Sequence, residues 1–310
     1  MTNPLVIRIP AKINLHLEVV GRRPDGFHEL RTLFQSVDLY DTLRGWSADE
    51  GRLDLEIEPG NLVSAGGDNL VLKAAQALWV ETGRRPGARL KLKKRIPVGG
   101  GMGGGSADAA GALILLNRLW SLHLPPSDLR RLAVDLGSDV PFFLHGGLAL
   151  GVGRGEEVIP LEDLPALGVL LVVPPVEVST PEVFRRIEAR PLVPGTWKRM
   201  DDRVYAGVVN SPPLIDWSVV GNDLERVVCE GWPQVAEALE GVRRLSPLFS
   251  TVSGSGATVF GVFESFDVAA GAADGLKVSG RVEVVEMRGR IRAKPEAVLE
   301  DENRGKCGNY

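Results

Sequence analysis

Six of the seven residues from Gly99 to Gly105 are glycine, interrupted only by Met102, and the run leads straight into an apolar helical pattern. Without a Cβ, glycine takes positive φ readily and lets backbone N–H groups approach an anion closely. On the C-terminal side Ala109, Ala110, Ala112, Leu113, Leu116 and Trp120 recur at helical spacing, so a helix N-terminus with its unpaired donors and positive dipole end faces the same point. The combination predicts a phosphate cradle with Ser106 at the cap position of the helix. A flexible linker is the bland alternative, although linkers rarely abut a patterned helix.

Several known phosphate loops do not fit. Gly105 stands where a Walker A loop needs lysine. Gly99, Gly101 and Gly104 satisfy G-x-G-x-x-G, but Ser121 to Pro126 supplies no strand to carry a ribose-binding acid after the helix. The protein-kinase signatures H-R-D-L-x-x-x-N and D-F-G are absent from the chain.

Around the loop, strands are predicted over residues 5–9, 14–20, 53–58, 88–93, 169–173, 258–263 and 282–287, and residues 146–153 read as glycine-rich strand or turn. Helices are predicted from Leu70, after an Asp68-Asn69 cap, and over 127–136, 180–187 and 222–229. An α+β chain follows, with a lobe boundary near 160, a Pro-rich connection over 191–220 and a charged tail from 288. Lys and Arg total 36 against 40 Asp and Glu, a formal charge of −4, so neither nucleic acid nor an anionic membrane is an expected partner. Cys229 and Cys307 show no metal spacing, and no apolar run approaches the roughly 18 residues of a spanning helix. A cytoplasmic protein is the expectation.

Two further segments resemble a known pattern when taken with the loop. Pro10-Ala-Lys12-Ile-Asn14-Leu-His16 and Asp25-Gly-Phe27-His28-Glu-Leu lie near the N-terminus, and Ser253-Gly-Ser-Gly256-Ala-Thr258 lies near the C-terminus. The three motifs resemble, in order and separation, those of the GHMP small-molecule kinases. Gly137-Ser-Asp139-Val-Pro-Phe-Phe143 and Gly221-Asn-Asp-Leu-Glu225 are similar to the branch that phosphorylates the 2-hydroxyl of a methylerythritol carrying a cytidine diphosphate. Phe27 departs from the tyrosine usual there, but stacking needs only the ring.

The resemblance implies a two-lobed fold: residues 1–160 as the ATP-binding lobe with mixed sheet and helices, 161–287 as a C-terminal α/β substrate lobe, and 288–310 as a tail. It implies ATP with Mg²⁺ as co-substrate, a cytidine-diphosphate-bearing substrate, and a monomer or weak homodimer. Asp139 becomes the catalytic base and Lys12 its partner, with Asn14 orienting the acceptor hydroxyl. Phe27 and Phe184 would sandwich the base while His28 reads its edge; core packing remains an alternative for Phe184. ATP would lie on Pro97, Val98, Gly99, Gly100, Gly101, Met102, Gly103, Gly104, Gly105, Ser106 and Ala107. Asn69 would touch adenine or simply cap its helix, and the Ser106 and Thr180 hydroxyls could reach phosphate or Mg²⁺. Asp108 stays outside the catalytic set, because a carboxylate there would repel phosphate. Other GHMP kinases, acting on homoserine, a mevalonate derivative or a sugar, remain alternatives, as does a nucleotide-binding protein without transfer chemistry.

Overall fold

The structure, a computed structural model, describes residues 3–60, 63–188 and 215–289. Two long antiparallel strands, β1 (Leu5–Arg22) and β2 (His28–Ala48), form its spine. The two short strands expected before residue 20 are one, because a register shift at Pro10/Ala11 absorbs the proline and its missing N–H without ending the strand. Strand β2 was not expected. It pairs with β1, β4, β5 and β10, and burial on both faces over 32–37 erases the alternation by which a half-buried strand is read.

After β3 (Leu53–Glu58), helix α1 (Leu70–Thr82) crosses over to the parallel strand β4 (Gly87–Lys93). Helix α2 (Gly104–Leu119) packs its alanine-rich face on β1, so closely that a Cβ on Gly111 would lie 2.6 Å from Ile9 side-chain atoms. Helix α3 (Pro126–Leu136), a 3₁₀ turn (Val140–Leu144) and the hairpin of β5 (Leu148–Gly153) and β6 (Glu157–Pro160) complete the first half. The second half runs β7 (Gly168–Val173), α4 (Thr180–Glu188), α5 (Glu225–Gly231), α6 (Pro233–Arg243), β8 (Phe249–Val252), β9 (Val259–Phe263), α7 (Phe266–Asp274) and β10 (Arg281–Arg288). Most of the expected connection over 191–220 and of the tail lies outside the described residues.

Strand β10 joins the halves into a ten-stranded sheet: it pairs with β7 and then places Met287 and Arg288 opposite Val37 and Ser36 of β2. Alternation along β7 sends Val169 and Leu171 into a core shared with α1 and α2, and Leu170 and Val172 into a second core with α4, α5 and α6. Each such fully buried aliphatic side chain contributes roughly 1.5–3 kcal/mol. Both cores reach one cleft, which Phe34 of the first and Leu17 and Leu224 of the second help to line. The helix expected from Asn222 begins instead at Glu225, since Asn222 Nδ2 donates to the carbonyls of Val252 and Gly254 and its Oδ1 accepts from Leu224 N–H.

Candidate active site

The glycine loop is held by three distant parts of the chain. Lys12 N–H donates to Met102 O, Thr258 N–H to Gly100 O and Ser253 Oγ to Gly101 O, at 2.9–3.2 Å. Gly101 and Gly103 adopt φ of 72° and 70°; a Cβ on Gly101 would meet the Ser253 carbonyl, and one on Gly103 the Phe143 ring. Gly103, not Ser106, caps α2, and with no side chain there to accept from them the first-turn N–H groups stay open to a ligand. Ser106 lies within that first turn. A cleft of about 510 Å³ runs over residues 97–106, with Asn69 and Lys94 on its walls. Ala107 does not line it: the residue is buried, and its N–H donates to Gly103 O. Asn69 caps α1, its Oδ1 accepting from Val71 N–H and its Nδ2 donating to Ser64 O, so its side chain is committed locally.

A second cleft, of about 560 Å³, shares Gly101 and Gly103 with the first and contains Lys12, Asn14 and Asp139. Residues 12 and 14 point to the same face of β1. Lys12 Nζ donates to Asn14 Oδ1 at 2.6 Å and lies 3.4 Å from Asp139 Oδ2, and Asn14 Nδ2 donates to Thr32 Oγ1. Asp139 precedes the 3₁₀ turn, and its side chain makes no capping bond there. One-third exposed, it faces the cleft beside a nearly sealed Lys12.

The far wall carries the aromatic residues. Phe27 follows a tight turn in which Asp25 Oδ1 accepts the Phe27 N–H, and it is 54% exposed, too open to serve as core. The His28 and Phe184 rings stack at 4.8 Å between centroids, and His28 Nε2 lies 3.4 Å from Glu188 Oε1. Phe184 thus lines the cleft from α4 and, partly buried, also packs against the second core. Thr180, at the start of the same helix, hydrogen-bonds Ser255 of the 253–256 turn at 2.7 Å.

A buried ionic triad under the glycine loop was not expected. Lys94 Nζ contacts Asp41 Oδ2 and Asp108 Oδ2 at 2.5 and 2.6 Å, and Asp41 Oδ1 accepts from the Arg95 and Ile96 N–H groups. Burial pushes the Asp108 carboxyl up to about 8, against the pull of Lys94, whereas the two carboxylates overcome the burial that would lower Lys94. The only sequence signal was a lysine entering a buried loop, which demands a carboxylate partner without saying which. His16 is likewise buried: its Nδ1 accepts from Gly221 N–H, and burial lowers its pKa to about 4.

Sheet, cradle and acid–lysine pair together define a GHMP kinase: residues 69–147 match the profile of the GHMP kinases N terminal domain. The fold alone is also that of a homoserine kinase from Cytophaga hutchinsonii, with a TM-score of 0.68 at 20% identity over 94% of this chain and 97% of that one. Within this class the chain belongs to the 4-diphosphocytidyl-2-C-methyl-D-erythritol kinase family. It is 43% identical to the Pelotomaculum thermopropionicum enzyme of that name over 81% of this chain and 86% of the relative. The Salinispora arenicola enzyme is 39% identical over 93% and 90%. A crystal structure of 4-(cytidine 5'-diphospho)-2C-methyl-D-erythritol kinase matches with a TM-score of 0.75 and 34% identity, covering 92% of this chain and 99% of that one.

Proposed function

We propose that this protein transfers the γ-phosphoryl group of ATP to the 2-hydroxyl of 4-diphosphocytidyl-2-C-methyl-D-erythritol, in the non-mevalonate route to isoprenoid precursors. One observation carries the reading: the Lys12–Asp139 pair stands where an aromatic-walled cleft meets the glycine-loop cleft, the two sharing Gly101 and Gly103. An acceptor alcohol in one cleft and a triphosphate in the other would meet at that pair. The names borne by the relatives support the choice of substrate.

In this reading residues 1–160 form the ATP-binding lobe and 161–287 the second lobe, although Phe27 and His28 bring part of the substrate wall from the first. Asp139 accepts the proton of the acceptor hydroxyl as its oxygen bonds to the γ-phosphorus and the bond to the β-phosphate bridging oxygen breaks, releasing ADP. Lys12 offers positive charge to the transferring group, and Asn14 holds the lysine on line. The open N–H groups of the loop and of α2 hold the phosphates, doing in a dry cradle what water would otherwise do. Phe27 and Phe184 bracket the cytosine.

Among the described residues no group of three His, Cys, Asp or Glu side chains could hold a metal. The donor set at the cradle, the Ser106 hydroxyl beside backbone amides, suits Mg²⁺ delivered on the triphosphate, which supplies most of its ligands. Among the described residues no helix is long and apolar enough to cross a membrane, and a dissolved substrate pair fits action in the cytoplasm.

The test is ATP consumption across candidate alcohols, with the product oxygen located by phosphorus NMR. Phosphate on the erythritol 2-oxygen, and turnover that requires the cytidine diphosphate moiety, is the expected result. Comparable turnover of homoserine, mevalonate or a sugar would overturn it.

A further inference from the structure

The proposed substrate joins its nucleoside to the reacting alcohol through a diphosphate, so its recognition needs a cation between the base wall and Asp139. The geometry points to Arg154, on the turn after β5, as the residue that binds this diphosphate. The inference rests on the functional reading above and adds to it a substrate-binding residue.

Position is the first argument. The Arg154 guanidinium carbon lies 4.9 Å from the centroid of the Phe27 ring, the proposed stacking surface. Its neighbour Gly155 sits so that a Cβ there would be 3.9 Å from Asp139 Oδ1. The 153–155 turn therefore spans the interval from the base wall to the proton acceptor, the same order in which the substrate places base, diphosphate and alcohol. The turn is fixed to the sheet, since β5 pairs with β2 from Leu30↔Gly153 to Gln35↔Leu148.

Availability is the second. Of the Lys and Arg side chains lining this cleft, Lys12 is engaged by Asn14 and Asp139. Arg185 gives both Nε and one terminal nitrogen to Glu182. Arg154 spends only its Nε on Glu156 Oε1, at 3.2 Å, while Glu156 Oε2 accepts the Arg154 N–H. Among the described residues its two terminal nitrogens hydrogen-bond no carboxylate, although its charge is felt by the exposed Asp25 on the Phe27 turn. Glu156 thus aims the head without consuming the planar fork that matches phosphate oxygens. A cation fixed at its Nε and stacked by an aromatic ring loses little further freedom on binding an anion.

The experiment measures cytidine and cytidine 5′-diphosphate binding by calorimetry to the intact enzyme and to its Arg154→Gln and Arg154→Lys variants. Loss of charge-assisted contacts should weaken diphosphate binding roughly 10- to 100-fold in Arg154→Gln, with cytidine affinity within about twofold of the parent and ATP KM unchanged. Arg154→Lys should recover part of the loss. Equal losses for cytidine and its diphosphate would show Arg154 to be a support for the Phe27 ring and overturn the assignment, as would diphosphate binding that is unchanged in Arg154→Gln. If the unsubstituted enzyme bound neither probe while still binding ATP, the proposed substrate itself would fall, and the role of Arg154 with it.

Discussion

Gly101 lies against the main chain of Ser253 so closely that a Cβ on it would meet the Ser253 carbonyl oxygen, while Ser253 Oγ donates to Gly101 O at 2.9 Å. The glycine loop of one half is thereby seated on the small-residue turn of the other. Gly101→Ala would need a left-handed backbone at a residue with a Cβ, costing about 1–2 kcal/mol, and would push the turn away as well. A loss of ATP affinity of at least about tenfold is expected, with a lowered Tm. Titration of ATP and a melting curve on the one variant check it; unchanged ATP binding would refute the seating argument.

The proposed chemistry depends on Lys12 and Asp139. Asp139→Asn keeps the shape and removes the proton acceptor, and should lower kcat by at least about 10²-fold with ATP KM little changed. Lys12→Ala should cost as much, and the double variant little more than either single one, because the two act as a unit. Near-normal turnover of a folded Asp139→Asn enzyme would remove Asp139 from the mechanism.

Phe27 is exposed and bears on no core, its ring contact being with Arg154, so its removal should act on ligand binding and not on the fold. Phe27→Ala is expected to weaken cytidine-substrate binding by about 1–3 kcal/mol, the range for base–aromatic stacking, while Tm and ATP affinity hold. Phe27→Tyr should bind as the parent does. A fall in all three quantities for the alanine variant would instead make Phe27 an anchor of the 23–27 turn.

Lys94 lies between two buried acids beneath the loop, Asp41 and Asp108, and burial favours the protonated form of the second. Lys94→Met would leave the Asp41 carboxylate without its cation and should destabilise the fold by about 3–5 kcal/mol, the usual consequence of breaking a buried ion pair. Asp41→Asn in that background should recover part of the loss, and Asp108→Asn in the same background much less. Denaturant melts of the three variants give the answer, and no recovery would mean that the triad is not electrostatically coupled.

His16 ties stability to pH. Its pKa is about 4 in the folded chain against 6.5 for the free side chain, so the unfolded state binds the extra proton first. The stability it contributes is complete above pH 6.5 and is lost as pH falls towards 4, by up to about 3 kcal/mol at roughly 1.4 kcal/mol per unit. Carboxylates titrate over part of the same range, so the measurement is a difference: denaturation midpoints at pH 7 and pH 4.5 for the parent and for His16→Gln, which should lose less between the two.

Much of the site could be read from local pattern. Backbone conformation and the helix that follows are properties of neighbouring residues, so the run from Gly99 to Gly105 could be recognised as a cradle, and the Lys12 and Asn14 spacing on one strand face followed from the strand period alone. Their resemblance to ordered motifs of a known family then pointed to Asp139 and Phe27. Local pattern misled where two tendencies competed: Pro10 suggested a break that a bulge absorbs, and Ser106 suggested a cap that Gly103 provides.

What the chain could not show in one dimension is what depends on pairs far apart in it. β2 was hidden because both its faces are buried over 32–37 and because the buried Asp41 breaks the apolar alternation further along. The partners of Lys94, lying at positions 41 and 108, and the seat of Gly101 on Ser253 exist only once the sheet brings β2, α2 and the 253–256 turn together. Local propensity determines which segments become loop, strand or helix, but charge neutralisation and close packing act through space. The electrostatics and the alignment of the two clefts therefore belong to the tertiary fold.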